Sequence, residues 1–204
     1  MSKQPEEGRI WEWRAFGQIS ETLGAKVRAY PVRFSDVRGE DIYLISPRND
    51  QNVKLRLSAG GCALKLKFLC EAAWRPFELY RESAEFTYQF PVSLEKLRES
   101  ADLLEVVLPA GAVSQDPLDA STFVKLLAES EPPVAETIVI KKRSQYQFEQ
   151  GWLELADIKF ARRDVQSISV HSRDLDVVRK MVEQLEPGDE LEVMNYIEAC
   201  RRWR

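Results

Sequence analysis

Residues 53–69 read VKLRLSAGGCALKLKFL. Two runs in this stretch alternate strictly between cation and apolar residue, Lys54-Leu55-Arg56-Leu57 and Leu64-Lys65-Leu66-Lys67-Phe68, with Gly60-Gly61 between them. Successive side chains of an extended strand point to opposite faces, so Lys54 and Arg56 share one face, as do Lys65 and Lys67. Leu55, Leu57, Leu64, Leu66 and Phe68 occupy the other. A glycine pair between two such runs signals a hairpin. The hairpin therefore has one greasy face and one face bearing four like charges.

Working outward, the same sorting places Glu12 with Arg14 in "EWR" and Lys141 with Arg143 in "IKKR". Alternation by itself describes the solvated side of a half-buried sheet. A solvated face normally mixes signs, however, because like charges directly opposite one another destabilise a sheet. If helices cover the greasy side, the cations point into the concave side, and closing the sheet gathers Arg14, Lys54, Arg56, Lys65, Lys67, Lys141 and Arg143 into one lumen. Such a lumen calls for an anion, and phosphate chains suit it: arginine binds them bidentately and lysine supplies point charge. An apolar-ligand barrel would need aliphatic side chains on that face instead.

The remaining segments fit a strand-rich chain. "RIWEWRAFG", "DIYLIS", "ETIVIKKRSQYQF", "WLELADIKFA" and "VQSISVHS" read as strands, and residues 74–92 fit either strand or a helical start. Leu94, Leu97, Ala101 and Leu104 form a helical stripe with Ser93 as candidate cap, and residues 119–130 predict a second helix. Leu175, Val178, Val182 and Leu185 form another stripe, and the final ten residues add a helical turn or two. Consecutive hairpins without strict βαβ alternation predict an α+β protein on an antiparallel sheet or barrel, with flanking helices. With 204 residues, 44% of them hydrophobic, and no tandem repeat, one domain is the simpler organisation.

The net charge of −4 argues against generic nucleic-acid binding, which needs a broad basic face. Any anion site must be local, where a concave surface lined by one sign focuses its field. The absence of a long apolar run and the polar "MSKQPEEGR" start predict a cytoplasmic protein that neither spans a membrane nor carries a signal peptide. Cys62, Cys70 and Cys200 lack metal or disulfide spacing. Glu12 and Glu154 are candidate ligands for Mg²⁺ or Mn²⁺, which would bridge to phosphate oxygens; the competing reading makes them ion-pair partners of the cations. His171, the only histidine, shares a face with Ser167 and Ser169.

The order "EWR", "DIYL", "KLRL", "LKLKF", a helical insert, "VIKKR", "LELADI" and "SISVHS" followed by a helix resembles the CYTH superfamily, the triphosphate tunnel metalloenzymes, over about residues 9–187. The resemblance implies an eight-stranded antiparallel tunnel barrel, with residues 188–204 as a C-terminal helical extension of a single domain. It also implies metal-dependent hydrolysis of inorganic triphosphate or a triphosphate compound. By position, Arg14, Lys54, Arg56, Lys65, Lys67, Lys141 and Arg143 would bind substrate, and Glu12 and Glu154 would hold metal and act in catalysis. The family's ExExK signature reads here Ile10-Trp11-Glu12-Trp13-Arg14, and His171 stands where an acidic residue is common. The cationic half of the site is better kept than the acidic half. The alternative is a catalytically weakened protein of the same fold that binds polyphosphate or nucleotide, or serves as a scaffold.

Overall fold

A computed structural model describes residues 8–74, 76–111 and 116–204, with the side chains of 72–74 left aside. The strands are β1 (Arg9–Gly17), β2 (Val32–Ile45), β3 (Asn52–Ser58), β4 (Gly61–Trp74), β5 (Phe77–Arg81), β6 (Thr87–Gln89), β7 (Ala135–Phe148), β8 (Gly151–Lys159), β9 (Asp164–Ser172) and β10 (Glu192–Val193). The helices are α1 (Glu21–Arg28), α2 (Leu94–Leu103), α3 (Ala120–Ala128), α4 (Leu175–Leu185) and α5 (Tyr196–Trp203). Eight strands form a closed antiparallel barrel in the order β1-β5-β4-β3-β2-β7-β8-β9, and β9 returns to β1 with Glu12 opposite His171 and Arg14 opposite Ser169. β6 and β10 are short additions on β4 and β1. The expected antiparallel barrel with flanking helices is present.

The hairpin at residues 53–69 forms as its alternation requires. Lys54 pairs with Lys65 and Leu55 with Leu64, and Gly61 leaves the turn at φ +116°, a conformation that a side chain disfavours. On the outer face Leu55, Leu64 and Leu66 pack against Leu97 and Ala101 of α2 and Phe123 and Leu127 of α3. Burying each such leucine contributes about 1.5–3 kcal/mol, and this contribution orients the sheet with its charges inward. On another side, Trp13 of β1 and Ile168 and Val170 of β9 pack against Val178 and Leu185 of α4 and Val27 of α1. The ambiguous residues 74–92 resolve into β5, a 3-10 turn at Ala84–Phe86 and β6.

Helix ends follow the sequence with one exception. Ser20 accepts from the Leu23 amide, and Asn195 and Glu198 form a reciprocal capping box on α5. Ser93 occupies the cap position of α2, but its side chain makes no capping bond; the Leu94 amide donates instead to Asp116 Oδ1 at 3.1 Å. At the β7–β8 turn, a Cβ on Gly151 would lie 2.0 Å from the His171 carbonyl oxygen, so only glycine lets β8 approach β9 there. Among the described residues no helix is long and apolar enough to cross a membrane.

Candidate functional site

All nine candidate site residues of the sequence, Glu12, Arg14, Lys54, Arg56, Lys65, Lys67, Lys141, Arg143 and Glu154, line one cavity of about 140 Å³ inside the barrel. Seven cations and three carboxylates, Glu12, Glu82 and Glu154, surround it among the described residues. The volume matches roughly the liquid share of five water molecules, so a ligand here would be held at close quarters.

One wall is organised by Asp41, which the sequence reading passed over. Asp41 lies opposite Arg56 and Tyr43 opposite Lys54 in the β2–β3 register, and Lys141 enters from β7 on the other side of β2. Asp41 Oδ2 accepts from Lys54 Nζ at 3.1 Å and Lys141 Nζ at 2.8 Å, and Oδ1 accepts from Arg56 Nε at 2.9 Å. The Tyr43 hydroxyl accepts from Lys141 at 2.6 Å and Lys54 at 3.2 Å. Burial alone would raise the Asp41 pKa, but Lys54 and Lys141 hold it far below the usual carboxylate range. Burial pulls both lysines down in turn, Lys141 to about 8. The signal available in the sequence was the i, i+2 placement of Asp41 and Tyr43 in "DIYL", beside the cation face of the next strand.

The opposite wall comes from β1, β7, β8 and β9. Glu12 accepts from Arg14 Nε at 2.7 Å through one oxygen and from Lys67 Nζ at 2.5 Å through the other. Glu154 accepts from Gln145 Nε2 at 2.9 Å and lies 3.6 Å from Arg14 and 3.5 Å from Arg143. Burial opposes ionisation of both, but the neighbouring cations prevail: Glu12 is held well below its ordinary value and Glu154 down to about 2. Arg14 also donates to Ser167 Oγ at 3.3 Å. His171 shares its Nε2 with Ser169 Oγ at 2.8 Å, stacks on Trp152 with ring centres 4.8 Å apart, and has no hydrogen-bond partner at the buried Nδ1. Burial lowers its pKa, so the ring is neutral near pH 7. Ile10 sits two residues before Glu12 on the same strand face, opposite Tyr80 of β5.

The sequence reading also missed Tyr196 of α5, which lines the cavity from outside the barrel strands. Its ring stacks on Tyr43 at 5.4 Å, with the Arg14 guanidinium 4.5 Å and Lys141 Nζ 3.9 Å from its centre.

The family resemblance implies Mg²⁺ or Mn²⁺, for which Glu12 and Glu154 would be the ligands. Hard divalent cations need several converging oxygen ligands. Here both Glu12 oxygens are taken by cationic donors, Glu154 lies between two arginines, and position 10 offers no oxygen. No group of three or more His, Cys, Asp or Glu side chains among the described residues is arranged to hold a metal ion. The carboxylates as placed serve the cations and do not fit a divalent metal.

No protein-family profile and no curated protein sequence matches the chain. Solved structures do. The chain is similar to a putative adenylate cyclase from Bacillus halodurans, with 12% identity and TM-score 0.52, covering 94% of this chain and 98% of that one. It is also similar to a putative adenylyl cyclase from Hippeastrum described as having a dominant triphosphatase activity, with 12% identity, TM-score 0.51 and 95% of each chain covered. The likeness runs nearly end to end and coincides with the closed strand order described above, so this chain shares the fold of these two proteins, here a closed eight-stranded antiparallel barrel.

Proposed function

We propose that the lumen binds the phosphate chain of inorganic triphosphate, a longer polyphosphate or a triphosphate compound. The observation that carries this reading is the convergence of seven cations from four strands on one narrow cavity, beyond what its own carboxylates neutralise. Lys65 has no carboxylate within ion-pair distance among the described residues and feels Glu82 only at longer range. Arg56 and Arg143 remain partly exposed toward the entrance. A phosphate chain supplies anionic oxygens in the spacing that such groups can share, and in a low-dielectric lumen each charge-assisted hydrogen bond is worth roughly 1.5–3 kcal/mol. The Hippeastrum protein's described triphosphatase activity agrees with this ligand class.

Metal-dependent hydrolysis is the second reading, which the family resemblance implies; as placed, Glu12 and Glu154 are both committed to Arg14. Turnover would require these carboxylates to be freed from their cations when the phosphate chain takes the cations over. Calorimetric titration with tripolyphosphate, first in EDTA and then with Mg²⁺ or Mn²⁺, tests both readings. Saturable binding in EDTA is expected, and its absence in every condition would overturn the phosphate-lumen proposal. Continuing heat with orthophosphate release that requires metal, and that is lost in Glu154→Gln, would establish the second reading.

A further inference from the structure

We infer that Arg14 takes the place of a divalent metal, so that the lumen selects phosphate chains free of bound Mg²⁺, an inference that rests on the phosphate-binding reading above. The carboxylates that the family resemblance would give to a metal are Glu12 and Glu154, and the group standing between them is a guanidinium. Arg14 Nε donates to Glu12 Oε1 at 2.7 Å, and Arg14 Nη1 lies 3.6 Å from Glu154 Oε1. The same Nη1 donates to Ser167 Oγ at 3.3 Å, and the guanidinium lies over the Tyr196 ring at 4.5 Å. Arg14, Glu12 and Glu154 are all buried. Burial opposes the charge of Arg14, yet Glu12 and Glu154 hold its pKa above the ordinary arginine value, so this cation is permanent.

Strand register fixes the arrangement. Arg14 of β1 and Glu154 of β8 both stand opposite Ser169 of β9, and Glu12 stands opposite His171. Three departures from the ExExK pattern then share one physical reason. A lysine ammonium is a compact point charge, whereas the planar fork of arginine can bridge two carboxylates. Ile10 and the neutral His171 each put an uncharged group where the resemblance would place an acid, and His171 Nδ1 stays 3.6 Å from Glu12 Oε2. With the cation built into the chain, further acids there would have nothing to hold. Seven cations and three carboxylates line the lumen, and Asp41 behind it adds one more carboxylate, so positive charge is in excess among the described residues. A phosphate chain that arrives with Mg²⁺ brings less negative charge and sets a second cation beside Arg14, and like charges in a low-dielectric site repel strongly. The uncomplexed chain meets no such cost.

The first measurement is calorimetric titration of the full chain with tripolyphosphate at rising Mg²⁺, with the titration in EDTA as reference. Affinity is expected to fall by about tenfold or more once Mg²⁺ exceeds the phosphate, in step with the loss of the uncomplexed chain. Equal or tighter binding with Mg²⁺ would overturn the inference while leaving phosphate binding intact. The second measurement is a Mn²⁺ titration without phosphate, followed by electron paramagnetic resonance. The wild-type chain is expected to leave Mn²⁺ free. Arg14→Met removes the charge, releases Glu12 and Glu154, and is expected to bind Mn²⁺. Mn²⁺ binding by the wild-type chain that is lost in Glu154→Gln would overturn the inference, as would a folded Arg14→Met that leaves Mn²⁺ free. Should circular dichroism show that Arg14→Met does not fold, the Mg²⁺ dependence of the wild-type chain decides alone. Failure of tripolyphosphate to bind in EDTA and in Mg²⁺ alike would instead overturn the underlying functional reading.

Discussion

Asp41 gathers three cations onto one carboxylate, whereas Glu12 and Glu154 on the opposite wall hold one guanidinium, Arg14, between two carboxylates. The first wall is a closed cluster set by the register of three neighbouring strands, and every oxygen of Asp41 is used. The second is looser. Glu154 meets its arginines at 3.5–3.6 Å, and the buried His171 Nδ1 beside Glu12 is left without a partner. The same kinds of side chain thus make two different walls, one a saturated cluster and the other, on the phosphate-binding reading proposed above, the one with capacity to exchange partners with a ligand.

The sharpest way to break this contrast is Asp41→Ala. Removing the shared partner of buried cations is expected to cost about 3–5 kcal/mol, which for a chain of this size lowers the melting temperature by roughly 6–20 °C. Thermal unfolding followed by circular dichroism measures it. Saturating tripolyphosphate should restore part of the loss, because a ligand at 100 times its Kd adds about 2.7 kcal/mol. A change below 1 kcal/mol would show that the Asp41 wall is not structural.

Acid unfolding examines the other wall. Glu154 has a folded pKa of about 2, below its unfolded value of about 4.3, so its contribution is present above pH 4.3 and is lost as pH falls toward 2. The shift corresponds to about 3 kcal/mol. Urea titrations across that range should show the slope, and Glu154→Gln should flatten it.

A smaller effect concerns Lys141, whose pKa of about 8 reflects burial acting against its charge. A bound phosphate chain favours the ammonium form and raises this pKa, so affinity should fall as pH rises above 8, by at most about tenfold per pH unit for one proton. Lys141→Arg keeps the charge and should remove that dependence. Smallest of all, Lys65→Ala is expected to weaken tripolyphosphate binding roughly 3- to 10-fold, the scale of about 1 kcal/mol, with no shift in melting temperature. Affinity loss without stability loss would mark Lys65 as a ligand contact separate from both ion clusters.

How much of this was legible in the sequence depended on repetition. Lys54, Arg56, Lys65 and Lys67 announce their common face because cation and aliphatic alternate over several residues, and the pleat has no other way to sort them. Asp41 is the one charge in "DIYLIS", and its i, i+2 placement with Tyr43 is a weak signal; its weight comes from the strands beside it, one of them about a hundred residues away. Tyr196 was illegible for another reason. The apolar stripe of Tyr196, Cys200 and Trp203 predicts a buried helix face but cannot say that it fills the end of a barrel instead of covering its outside. The capping of α2 failed similarly, since Asp116 reaches Leu94 from a distant loop.

The closure of β1 onto β9 has a consequence for how the molecule is made. The first strand of the barrel to be synthesised is the one whose partner, some 150 residues later, is the last barrel strand to appear. Until then one edge of β1 can pair with the short β5 while the other stays open, and long-range strand pairing of this kind slows folding toward the millisecond-to-second range or beyond. The barrel is therefore a late event in synthesis, and the buried charges of its lumen are brought together in the same step that removes its last open edge.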